Sequence, residues 1–104
     1  MKFTIGENIY ELKYTVNSMA DMEELTGKTM SEMMELGEVS AIRGMFWAGL
    51  VHDNKNMNLN EAGDLLGEYM KEHGMGEASQ LIIKGLTEAG FITAQKPKAT
   101  TRRK

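Results

Sequence analysis

The chain has no cysteine, a single proline, and aromatic side chains at only 7% of its 104 positions. The absence of cysteine excludes disulfides, thiolate zinc sites, iron–sulfur clusters and cysteine nucleophiles. It also fits a reducing compartment. Long apolar runs are missing as well. The longest, from Met45 to Val51 and broken only by Gly49, is far too short to span a membrane. The first seven residues, Met1 to Glu7, lack the apolar stretch a signal peptide needs. These features predict a soluble cytosolic protein of one domain. A chain of this length buries roughly 65% of the surface its unfolded form exposes, enough to fold without staples.

Charge is present but unevenly placed. The net charge is −3, and all 15 acidic residues lie at or before Glu88. Lys96, Lys98, Arg102, Arg103 and Lys104 crowd the C-terminal end. Residues 1–93 therefore hold seven Lys+Arg against 15 Asp+Glu, a net of −8, while the tail holds +5. An acidic body repels a phosphate backbone, so the folded part is not expected to bind nucleic acid.

Two kinds of periodicity follow one another along the chain. Phe3 and Ile5, then Tyr10, Leu12 and Tyr14, alternate with polar residues around Gly6-Glu7-Asn8, which predicts a β-hairpin. After Thr15 the apolar spacing becomes helical. Asn17 or Ser18 caps a first helix carrying Met19, Met22 and Leu25, closed by Gly27. Thr29-Met30-Ser31-Glu32 matches a capping box and opens a short helix bearing Met30, Met33, Met34 and Leu36, ending at Gly37. Ser40 starts a third helix, Ala41 to about His52, whose apolar residues cover nearly its whole circumference. That makes it the expected centre of the core. Asn58 or Asn60 caps a fourth, Glu61 to His73, with Ala62, Leu65, Leu66, Tyr69 and Met70 on one stripe. A fifth covers 77–89 with Ala78, Leu81, Ile82, Leu86 and Ala89 inward, and Gly90 ends it. The expected fold is mainly α: a short N-terminal hairpin, a bundle of four or five short helices over residues 1–92, and a disordered basic tail over 93–104.

Constellations for chemistry are hard to find. His52 and His73 stand at the ends of different helices, where the dipole favours them, and no carboxylate sits at ligand spacing beside both. The segment Asp53 to Asp64 has the length of a calcium loop, but Lys55 and Met57 occupy positions that must supply oxygen, and Asn58 replaces the glycine. Ser18, Ser31 and Ser40 fall at predicted caps and Ser79 on a helix flank. Paired carboxylates such as Glu23-Glu24 lie on a predicted solvent face. The 11 glycines are scattered singly, mostly at helix ends, with no phosphate-loop spacing. Neither catalysis nor a metal or cofactor is expected.

What remains is surface for partners. Ten methionines is a high count, and methionine either fills irregular cores or forms adaptable binding surfaces. Met30, Met33, Met34 and Leu36 crowd the shortest helix and are the candidate partner-binding residues. They suit an apolar groove that accepts helices from another protein.

Four segments, in order, are Phe-Thr-Ile-Gly-Glu-Asn-Ile-Tyr-Glu-Leu at 3–12, Met-Glu-Glu-Leu-Thr-Gly at 22–27, Met-Phe-Trp-Ala-Gly-Leu-Val-His at 45–52 and Leu-Asn-Glu-Ala-Gly-Asp-Leu-Leu at 59–66. In their order and spacing the chain resembles the tail assembly chaperones of long-tailed bacteriophages and related gene-transfer-agent proteins over about residues 3–90. The fourth segment departs from the Leu-Thr-x-Glu start often seen in relatives. The resemblance implies a protein of the infected cell's cytoplasm that binds the tape measure protein, keeps it soluble while the tail tube assembles, and is absent from the finished virion. It further implies contact with the tail tube protein through a frameshifted longer form, and leaves room for self-association. Two rivals predict other patterns. A small DNA-binding regulator would need a basic recognition helix, whereas helix 61–73 carries Glu61, Asp64, Glu68 and Glu72 against a lone Lys71. A minor structural component of the tail would be richer in strand.

Overall fold

A computed structural model of the protein describes residues 1–92, apart from Gly37 and the side chain of Leu36. The order of elements is β1 (Lys2–Ile5), β2 (Asn8–Glu11), α1 (Val16–Thr26), α2 (Met30–Leu36), α3 (Val39–Leu50), α4 (Leu59–His73) and α5 (Met75–Ala89). This is the mainly helical fold with an N-terminal hairpin that the periodicity predicts. The expected helix stop at Gly37 and the expected disordered tail over 93–104 lie outside the described residues.

The hairpin is antiparallel, with Phe3 opposite Tyr10 and Ile5 opposite Asn8, so its loop is only Gly6-Glu7. Gly6 has φ +60° at the first loop position, where a two-residue hairpin turn takes glycine. A lone hairpin is marginal in water, and this one leans on the helices. Phe3 is buried and lies 5.6 Å, centroid to centroid, from both Phe46 of α3 and Tyr69 of α4. The Gly6 amide donates to Glu72 Oε2 at 2.8 Å, fixing the turn to α4.

Helix starts follow local chemistry, with some shifts from the expected positions. Thr15, not Asn17 or Ser18, caps α1, and Ser18 completes its capping box from the third helical position. Thr29 and Glu32 exchange the two capping-box bonds at 3.1 and 2.9 Å, as their spacing predicts. Asn58 and Glu61 do the same for α4 at 2.8 and 3.0 Å. Ser40 caps nothing: α3 begins at Val39 behind Glu38, which makes no side-chain cap bond. Gly74, at φ +88°, ends α4 and begins α5 without an intervening loop, which is why α5 starts at Met75 rather than near 77.

Helix α3 is the centre of the core. It packs against α1, α2, α4, α5 and β2, and eight of its residues are buried, Phe46 completely. Two residues expected inward are not. Leu25 is 52% exposed at the end of α1, and Ala89 is exposed at the end of α5. Both lie in the last turn of their helix.

Candidate functional site

The shortest helix, α2, is the place to look, because its seven residues carry three methionines and only one side can face the core. The structure divides them. Met33 is buried, its Sδ-methyl group lying where Gly44 of α3 has no side chain; a Cβ there would come within 2.6 Å of Met33 Cε. Met30 is half-buried. Met34 is 40% exposed. The side chain of Leu36 lies outside the described residues.

Three shallow clefts surround this helix. The first, about 100 Å³, lies between α2, α3 and α5, with Met33 and Met34 on one side, Ala41, Ile42 and Met45 beneath, and Ile82 and Ile83 on the other side. Almost all of its lining is hydrocarbon or thioether. Ile83, 41% exposed, is part of that opposite wall. The second, about 350 Å³, joins Met30 to Val16, Met19, Ala20 and Phe91. Phe91 arrives there because Gly90, at φ +89°, turns the chain back over the end of α5, where the Phe91 amide donates to the Leu86 carbonyl at 2.9 Å. The third, about 230 Å³, lies on the far side of Met33 and includes Leu25, Lys28, Arg43 and Leu59. Met33 and Met34 thus share one cleft, while Met30 belongs to another.

The surroundings are acidic. Glu35 is exposed, and Glu38 pairs with Lys28 at 3.3 Å. The Glu32 carboxylate is held below its ordinary range by hydrogen bonds from the Thr29 amide and hydroxyl, with a smaller contribution from Lys28. Glu23, expected on a solvent face, instead accepts from the Met30 amide at 2.9 Å and ties α1 to the start of α2.

No protein family model, curated protein or solved structure matches the chain.

Titratable groups elsewhere are occupied by structure. His52 Nε2 is 2.9 Å from the Glu11 carbonyl, and Nδ1 is 3.3 Å from Asp53. His73 lies 4.5 Å from the Tyr69 ring, centroid to centroid. Among the described residues no three His, Asp or Glu side chains converge as a metal site requires, and no helix is long and apolar enough to cross a membrane.

Some residues of the clefts were not singled out by sequence reasoning, although signals existed. Ile82 is among the residues expected inward, and Ile83, about 100° round the helix from it, falls at the edge of that face. Arg43 is the only charged residue in an otherwise apolar or small α3.

Proposed function

We propose that the protein is a tail assembly chaperone of a long-tailed bacteriophage, holding exposed helical segments of the tape measure protein in the host cytoplasm until the tail tube covers them. The observation that carries this reading is the pairing of solvent-exposed Met34 and Ile83 with an apolar cleft on an acidic body. An amphipathic helix is the ligand such a groove suits, because its apolar residues at i, i+3 and i+4 form a ridge. Flexible methionines let the groove accept more than one sequence.

Magnitudes favour holding over permanent assembly. A client leucine seated in the first cleft gains about 1.5–3 kcal/mol. Association costs at least about 4 kcal/mol in lost freedom. One cleft therefore gives a weak grip, and neighbouring clefts around α2 are needed to make it useful. A reversible grip still lowers the concentration of free, aggregation-prone client by mass action. Exposed Glu61, Asp64, Glu68 and Glu72 on α4 weigh against a DNA-binding reading.

Co-expression with the tape measure protein encoded by the same genome tests the proposal. The wild type is expected to keep the client in the soluble fraction and to purify with it. Met34→Glu combined with Ile83→Glu is expected to stay folded, since both side chains already meet water, and to lose the client. Equal solubility of the client with and without the wild-type protein overturns the function. Full activity of the folded double variant overturns this cleft as its site. Mass spectrometry of purified particles checks the accompanying expectation that the protein is absent from virions.

A further inference from the structure

The third cleft contains a feature that the apolar grip does not use. Arg43 projects from α3 with its stem lying over Gly63 of α4; a Cβ on Gly63 would sit 3.1 Å from Arg43 Cδ. Its Nε is buried and has no hydrogen-bond partner among the described residues. No carboxylate reaches it within ion-pair distance among those residues, although acidic groups outnumber basic ones two to one in the body. A buried guanidinium N–H without an acceptor is an uncommon and costly arrangement. The side chain as a whole is only half-buried and lines the cleft, so an outside carboxylate meets the terminal guanidinium nitrogens rather than the sealed Nε.

We infer that Arg43 is a polar anchor that receives a carboxylate of the bound client helix, while apolar residues of the same helix fill the adjoining cleft between α2, α3 and α5. The inference rests on the client-holding reading and specifies the client's chemistry. Two observations join the sites. Met33 and Ala41, themselves buried, line both clefts, so the two clefts open on either side of one buried pair. On a helix, residues three or four apart are near neighbours, which places a carboxylate one turn from an apolar anchor. Arginine suits this role better than lysine because its planar fork binds a carboxylate through two parallel hydrogen bonds. Exposed Glu32 and Glu35 on α2 call for basic or neutral residues on the client's flank. The favoured segment therefore has an apolar ridge, one Asp or Glu a turn away, and Lys or Arg beside the ridge.

Overlapping peptides of the tape measure protein from the same genome, titrated against the full chain by fluorescence anisotropy, test this. Peptides that bind are expected to carry that pattern. Arg43→Gln is expected to weaken them tenfold or more, with Arg43→Lys intermediate. Changing the peptide's Asp or Glu to its amide is expected to weaken the wild type by a similar factor and to leave Arg43→Gln unaffected. Equal binding by wild type and Arg43→Gln, or two losses that simply multiply, overturns the anchor and leaves the chaperone reading standing. Failure of the wild type to bind any peptide overturns both. Should Arg43→Gln not fold, the amide peptides on the wild type decide: no loss overturns the anchor. Sedimentation gives the remaining outcome. Self-association of the wild type that Arg43→Gln abolishes assigns the cleft to a second copy and overturns the client carboxylate.

Discussion

The Tyr14 hydroxyl donates to the Met45 carbonyl at 2.8 Å from a ring held between two glycines of different helices. A Cβ on Gly49 of α3 would lie 3.0 Å from Tyr14 Cζ, and one on Gly85 of α5 would lie 2.9 Å from Cε2. The segment leaving the hairpin thereby enters the groove between α3 and α5 and is fastened there. The Lys13 amide adds a bond to the Gly49 carbonyl at 2.9 Å. Because α3 and α5 also form the floor and one wall of the apolar cleft, this clamp on one side of the pair sets the spacing on the other.

Tyr14→Phe is expected to destabilise the fold by about 1 kcal/mol, the net value of one buried hydrogen bond. Urea unfolding followed by the single tryptophan, Trp47, measures it. The substitution also changes the alkaline limb. Burial pushes the Tyr14 hydroxyl above the ordinary tyrosine value, so the folded state resists ionisation there. A raised folded pKa contributes stability that is complete below the unfolded value of about 10 and is lost as pH rises from there toward the folded value. Tyr69 is raised too, by burial first and by Glu77 second. Tyr14→Phe should therefore flatten the loss of stability above pH 10 only in part. An unchanged alkaline slope would count against the burial argument.

The two glycines that grip Tyr14 contrast with one that grips nothing. Gly85→Ala places a methyl group against a ring locked on both sides, and overpacking of this kind costs about 1–3 kcal/mol. Gly67, inside α4, has no atom within 4 Å of where its Cβ would be. Gly67→Ala is expected to stabilise the protein by about 0.5–1 kcal/mol through helix propensity and a less flexible unfolded chain. Melting temperatures of the two variants should move in opposite directions. A common direction would contradict the packing described for Gly85.

Neighbouring methionines on α2 should behave differently. Met33→Ala empties a filled core position against Gly44 and is expected to cost about 2–5 kcal/mol. Met34→Ala removes a side chain already in contact with water and should stay within about 0.5 kcal/mol of the wild type. Client holding should respond in the reverse sense at Met34, where stability is unaffected but grip is lost. Parallel unfolding curves and client-solubility assays separate the two effects.

Much of this protein was written in short-range pattern. The alternation of Phe3, Ile5, Tyr10, Leu12 and Tyr14, the Thr29–Glu32 and Asn58–Glu61 capping pairs, the glycines at 27, 74 and 90, and the all-round apolar character of α3 each act within a few residues. Local sterics and hydrogen bonding suffice to decide them, so the hairpin, the five helices and the central helix were legible. Shifts of a few residues arose where nearby polar residues offered equivalent caps, as at Thr15 against Asn17 and Ser18.

The site was legible only as a crowded helix. Which methionine is buried depends on Gly44, eleven residues beyond Met33 and on another helix, whose missing side chain opens a slot of the right depth. The exposure of Ile83, the turn of Phe91 toward Met30, and the isolation of Arg43 over Gly63 likewise depend on how distant faces meet. Periodicity states which residues share a face; it does not state how far the opposing helix extends or where it leaves a gap. The sequence alone determined the elements and their order, because those are set by contacts within a turn or a hairpin. Tertiary structure alone decided which apolar side chains remain open to a partner, because exposure is a property of pairs of surfaces brought together by the whole chain.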